Sequence, residues 1–196
     1  GTIQNVRHAP LNTKRKLSDD DFKIYGKKLT LFAEFCSDFG MPISFHHHMG
    51  TAVETERELD LLMNCTGEAV HLLFDTGHMT FAGGNSINVI NKYANRITHV
   101  HTKDIRSSIV DNLDKDKESF LDAVLKGAFT VPGDGNINFK EVVETLAKNN
   151  YEGWFIVEAE QDPAKANPLE MARIGNKELR ECLSLNGYEI GEYQYE

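Results

Sequence analysis

Apolar positions along this chain recur with two periods, and stretches of the two periods alternate. In residues 18–40, SDDDFKIYGKKLTLFAEFCSDFG, the residues Phe22, Tyr25, Leu29, Phe32 and Phe35 or Cys36 fall three or four apart. That spacing lines one face of a helix, so it predicts a helix with this face buried. Ser18 is placed to cap its start, Asp19, Asp20 and Asp21 put negative charge in its first turn, and Gly40 stops it. Residues 42–46 then read as a short strand, and residues 54–65 as a second helix with Leu59, Leu62 and Met63 on its apolar face. AVHLLFDTGH predicts a strand running into a tight turn at Thr76 and Gly77, because glycine reaches backbone conformations that other residues resist. The helix INVINKYANR and the strand ITHVHTKD follow. After an irregular acidic stretch come a helix around ESFLDAVLKG, a turn-rich TVPGDGNINF, the helix FKEVVETLAKNN, the strand GWFIVEAEQD and a last helix through LEMARIGNKELRECL. Strands alternating with helices imply right-handed βα units and a parallel sheet or barrel, an α/β fold. The first 16 residues show neither period and read as a loop, with Lys14, Arg15 and Lys16 solvated. No linker divides the chain, so residues 1–196 are expected to form one domain.

Composition narrows the partners more than the fold. With 196 residues, 40% hydrophobic and 26% charged, the chain has the make-up of a globular protein. No apolar run approaches the roughly 20 residues of a membrane helix, and the expected location is the cytoplasm. A formal charge of −9 argues against nucleic acid as a partner, since proteins that bind the phosphate backbone carry basic patches. Cys36, Cys65 and Cys182 lack CxxC spacing and are expected to be buried thiols, not a disulfide framework or a zinc knuckle.

The four strands share a polarity that matters more. Each starts apolar and ends ionisable: His46 and His48; Asp75 with His78; His99 and His101 with Lys103 and Asp104; Glu158 and Glu160. Carboxyl ends of parallel strands form one mouth, where barrels and open α/β sheets place their active sites. Period-2 alternation lets Asp75, His101 and Glu158 point to a shared centre. Carboxylate and imidazole donors without thiolate suit a divalent ion such as Mn²⁺, Co²⁺ or Mg²⁺, with Zn²⁺ also accommodated. A strand-end Asp can equally cap the next helix, and a strand-end His can be an ordinary core residue. In FHHH, alternation allows His46 and His48 to share the pocket while His47 turns away. Lys103 is placed to polarise a carbonyl or hold an oxyanion, or else to pair with Asp104 at the surface. Glu158, nearer the strand body, is the expected ligand, and Glu160 stands behind it. The glycines of TVPGDGN lack a phosphate-loop pattern and read as a turn, with Asp134 at the rim.

The segments FHHHMGTAVET, LLFDTGHMTFAGG, ITHVHTKDIR, FLDAVLKGAFTVPGDG and WFIVEAEQDPAKANPLEMA together resemble the inosose dehydratases of bacterial myo-inositol catabolism. Those enzymes are part of the xylose-isomerase-like (β/α)8 TIM-barrel superfamily. The resemblance runs from about residue 1 to 180. It implies an eight-stranded barrel of which this chain holds the C-terminal half, so the domain is expected to be N-terminally incomplete, and its open strand edges imply self-association. It further implies a lyase that removes water from 2-keto-myo-inositol (scyllo-inosose), a small cyclic polyol ketone, with Mn²⁺ or Co²⁺. By position it implies Asp75, His101, Glu158 and Glu54 as metal ligands, with His46 or His48 as the alternative to Glu54. Glu158, His48, His78 and Lys103 are then the proton-transfer and oxyanion groups, and His46, His48, His78, Lys103 and Glu160 contact the substrate. The rival expectations are a sugar isomerase or epimerase of the same superfamily, and an inactive half barrel that only binds.

Overall fold

The computed structural model describes residues 2–191. Eight helices and six strands follow one another as α1 (Asp19–Asp38), β1 (Ile43–His46), α2 (Glu56–Asn64), β2 (Val70–Asp75), α3 (Thr76–Phe81), α4 (Ser86–Tyr93), β3 (Ile97–His101), β4 (Asp104–Ile105), α5 (Ser107–Val110), α6 (Phe120–Lys126), β5 (Phe129–Thr130), α7 (Phe139–Lys148), β6 (Trp154–Ile156) and α8 (Pro168–Leu185). β1, β2, β3 and β6 make one parallel sheet in that order, each joined to the next by helices, as the alternating pattern predicts. β4 and β5 form a small antiparallel ribbon that the pattern does not reveal. No described helix is long and apolar enough to cross a membrane.

Capping sets the helix starts. Ser18 accepts from the Asp21 amide while the Asp21 carboxylate accepts from the Ser18 amide, and Thr55 with Glu58 repeats this reciprocal box at α2. The second box moves the start of α2 to Glu56 and leaves Glu54 outside the helix. The core lies between the sheet and its helices: Leu72, Phe74 and Val100 are fully buried against Phe22, Leu59, Leu62, Ile90 and Leu146. Each such side chain contributes about 1.5–3 kcal/mol by leaving water. At the opposite end of the sheet from the ionisable residues, Arg96 donates to the carbonyls of Met63, Gly67 and Val70 and pins the start of β2.

Four local expectations are corrected. On α1 the buried line is Phe22, Gly26 and Ala33, whereas Phe32 and Phe35 are 57% and 61% exposed. The helix turns its small residues toward α2; a Cβ on Gly26 would lie 2.3 Å from the Cys65 carbonyl oxygen. Of the three free thiols only Cys182 is buried; Cys36 and Cys65 are half-buried. Lys14 is not a solvated lysine but is buried beside Glu54 and Glu58. Thr76 and Gly77 make no turn, because α3 starts directly at the end of β2 with Asp75 as its N-cap.

Candidate active site

Strand register brings the ionisable ends together. Asp75 of β2 lies opposite His101 of β3, and His101 lies opposite Ile156 of β6, two residues before Glu158. Glu158 and Glu160 sit beyond the three-residue strand, in the segment leading to α8. The Asp75 Oδ2 atom is 3.5 Å from His101 Nδ1 and 3.5 Å from His46 Nε2, and His101 Nδ1 is 2.6 Å from Glu158 Oε2. Asp75 does two jobs, since its other oxygen accepts from the His78 amide and starts α3. The capping reading of a strand-end aspartate therefore holds, while Oδ2 faces the cluster.

The ligand atoms of Asp75, His101 and Glu158 all lie within 4.8 Å of one another. Asp75 Oδ2, His101 Nδ1, Glu158 Oε2 and His46 Nε2 are each buried with no aligned hydrogen-bond partner among the described residues. Buried polar atoms are ordinarily paired. Here they crowd together, His101 Nδ1 against Glu158 Oε2 at 2.6 Å and near Asp75 Oδ2 at 3.5 Å, a set of oxygen and imidazole donors close enough to share one divalent cation. The residues present fit such an ion.

The histidine run divides as alternation requires. His47 is fully buried on the helix side, 5.6 Å from the Phe74 ring, and its Nε2 accepts from the Asp75 amide. Burial pushes it down to about 3, so it is neutral. His46 and His48 face the cluster. His48 stacks at 3.7 Å on His78, and its Nδ1 is 2.7 Å from the Met49 carbonyl oxygen. A carbonyl can only accept, so Nδ1 carries a proton, and Nε2 lies 3.5 Å from Glu160 Oε1.

Lys103 is wholly buried, and its ammonium is shared among the acids. Its Nζ is 2.8 Å from Glu160 Oε2, 3.2 Å from Glu158 Oε2, 3.5 Å from Asp75 Oδ2 and 2.9 Å from His78 Nε2. Burial works against the charged form of every one of these groups, but the pairing outweighs it: Asp75 is held well below the usual carboxylate range, Glu158 and Glu160 are lowered, and Lys103 is raised. Burial likewise opposes a charged His101, yet Asp75 and Glu158 push it up to about 9. His78 is driven well below its ordinary value by burial.

Two expectations for these residues change. Glu54 is not at the cluster, because its Oε2 accepts from the Gly50 amide at 2.8 Å and its Oε1 faces Lys14 Nζ at 3.3 Å. His46 stands in the place expected of it. Lys103 does not pair with Asp104 at the surface: it is buried beneath the carboxylates of Asp75, Glu158 and Glu160. His78 is fully buried, with Nε2 engaged by Lys103. Asp104 instead accepts from the amides of Ile105, Asn136 and Ile137, which explains why the glycine-rich turn wraps inward; Asp134 meets Arg106 and Thr130. Gly77 is needed for a close approach, since a Cβ there would sit 2.7 Å from Lys103 Cγ.

Two contributors carry no signal in the sequence. Phe120 and Phe129 wall the site, 5.2 Å from the His48 ring and 5.2 Å from the His78 ring. The N-terminal arm ties down the loop that carries His48, through Ile3 N–H to the Gly50 carbonyl and Lys14 to Glu54 and Glu58. A cleft of 560 Å³ lined by Tyr25, Phe45, His46, His48 and Val53 opens beside the cluster.

Comparison with known proteins agrees with this architecture. A family model described as a xylose isomerase-like TIM barrel matches residues 1–182. The chain is 46% identical over 181 residues to the rhizopine catabolism protein MocC of Rhizobium meliloti, covering 92% of this chain and 56% of that protein. It is 48% identical over 182 residues to an inosose dehydratase of Clostridium beijerinckii, covering 92% of this chain and 61% of the relative. It thus spans a little over half the length of these relatives. Among solved structures, the IolI protein with a bound zinc atom superposes with a TM-score of 0.66 at 17% identity, covering 89% of this chain and 60% of that one. At that identity the likeness shows the fold alone.

Proposed function

We propose that this chain, which belongs to the xylose isomerase-like TIM barrel family, forms the metal-bearing half of a dehydratase that removes water from 2-keto-myo-inositol. The observation that carries the reading is the clustering of the Asp75, His101 and Glu158 ligand atoms within 4.8 Å of one another, with His46 Nε2 3.5 Å from the shared Asp75 Oδ2. The 48% identical relative named inosose dehydratase supports the choice of reaction. His46, Asp75, His101 and Glu158 would hold one divalent ion, Mn²⁺ or Co²⁺. When bound, that ion supplies a Lewis acid for the ketone oxygen and acidifies the neighbouring C–H.

The chain's own groups account for the proton. His48 lines the cleft with its Nδ1–H fixed by the Met49 carbonyl, so in the neutral ring Nε2 takes the proton from the carbon next to the ketone. Glu160, 3.5 Å away, stabilises the imidazolium so formed. His48 then returns that proton to the departing β-hydroxyl, which leaves as water. Lys103 holds Glu158 and Glu160 in place by charge.

The test is product analysis by NMR after incubation with 2-keto-myo-inositol and Mn²⁺, with ketohexoses in parallel. Loss of water from the inosose, abolished in His48→Gln, is expected. Interconversion of ketohexoses without dehydration would replace the reading with an isomerase or epimerase, which shares the first proton abstraction but returns the proton to a neighbouring carbon. Absence of Mn²⁺ binding would leave a binding module.

A further inference from the structure

The fully buried lysine stands where a second cation would. Beside the first donor set, His48, His78 and Glu160 offer ligand atoms within 4.8 Å of one another, and a third set, His46, Asp75 and His78, overlaps both. Two adjacent sets sharing a wall of carboxylates are what a two-ion centre uses, its ions about 3.5–4 Å apart. In this chain the second set is already engaged. Lys103 Nζ lies 2.9 Å from His78 Nε2 and 2.8 Å from Glu160 Oε2, and it reaches Glu158 at 3.2 Å and Asp75 at 3.5 Å across the boundary between the sets. The placement is built in, because the lysine stem passes directly over Gly77, where any side chain would collide with it.

Charge points the same way. With His101 ligating as the neutral imidazole, Asp75, Glu158 and Glu160 bring three negative charges and Lys103 one positive, leaving two, which a single divalent ion cancels. A second divalent ion would have to displace the ammonium or sit against it, and like charges so close in a poorly solvated site are strongly unfavourable. We propose that Lys103 is a built-in replacement for a second metal ion: it engages His78 and Glu160, restricts the site to one divalent cation, and its removal opens a second cation site formed by His48, His78 and Glu160. The inference rests on the metal reading above.

The experiment is Mn²⁺ stoichiometry by equilibrium dialysis and elemental analysis, with electron paramagnetic resonance to separate isolated from coupled ions. The native chain is expected to bind one equivalent with an isolated-ion spectrum, Lys103→Ala two equivalents with an exchange-coupled spectrum, and Lys103→Ala/Glu160→Gln one again. Glu160→Gln alone keeps its single ion. Two equivalents in the native chain, or one in a Lys103→Ala variant that keeps the native circular dichroism, overturns the proposal. If Lys103→Ala does not fold, loss of the ion in Glu160→Gln overturns it by placing Glu160 in the first donor set, and retention supports it. No ion in the native chain sinks the metal reading itself, whereas one ion in both native and Lys103→Ala sinks only this inference.

Discussion

The identity of the fourth ligand separates two arguments, position in the chain and position in space, and one pair of variants decides between them. Glu54→Gln removes a charge but keeps a carbonyl oxygen that can still accept from the Gly50 amide, now 2.8 Å from the carboxylate. Lys14 retains both oxygens of Glu58, at 2.6 and 2.7 Å, so it is not left unpaired. The expected cost is to stability alone, about 1 kcal/mol for one weakened interaction, with Mn²⁺ affinity unchanged. His46→Ala removes an unpaired nitrogen 3.5 Å from Asp75 Oδ2, at the centre itself. It is expected to weaken Mn²⁺ binding at least about 100-fold, which is about 2.7 kcal/mol, while stability of the metal-free chain changes little. Isothermal titration calorimetry on both variants, with urea unfolding as the control for folding, reads the two effects apart. A large loss of Mn²⁺ affinity in Glu54→Gln together with native affinity in His46→Ala would refute the reasoning.

Other outcomes follow from the same geometry. Lys14→Met leaves Glu54 and Glu58 facing each other with side chains only 12% and 14% exposed, and should cost about 3 kcal/mol in urea unfolding; a loss under about 0.5 kcal/mol would show that the arm is not held by this charge. Gly77→Ala improves helix propensity but places a methyl on the Lys103 stem, so a loss of about 1–3 kcal/mol is expected, and a variant more stable than the native chain would contradict the close approach. β1 and β6 each present one unpaired edge among the described residues, and Ile24, Leu31, Phe32 and Phe35 line an exposed face of α1. Sedimentation velocity is therefore expected to show a species heavier than one chain, and a stable compact monomer would count against self-association.

The order of strands and helices was legible in the chain because it depends on local patterning: apolar spacing, a cap at Ser18 and a stop at Gly40. The mouth of ionisable residues was legible for the same reason, since alternation along a strand fixes which of His46, His47 and His48 share a face. The two-residue strands β4 and β5 and the short helix α3 left too little pattern to see, and Thr76 and Gly77 looked like a turn because a glycine admitted for close approach is spelled the same as one admitted for φ.

What local pattern could not supply is partnership. Glu54 lies near the histidines in sequence, but only the folded arm shows that Lys14 and the Gly50 amide have claimed its carboxylate. Lys103 has the parity of a substrate-facing residue, but only packing shows it wholly buried and shared among Asp75, Glu158, Glu160 and His78. The sequence by itself determined which residues stand at the strand ends, because backbone geometry sets that residue by residue. The tertiary structure alone decided which of them meet one another and which meet water, because those contacts join segments as far apart in the chain as His48 and Glu160, whose approach depends on the register and packing of the whole sheet.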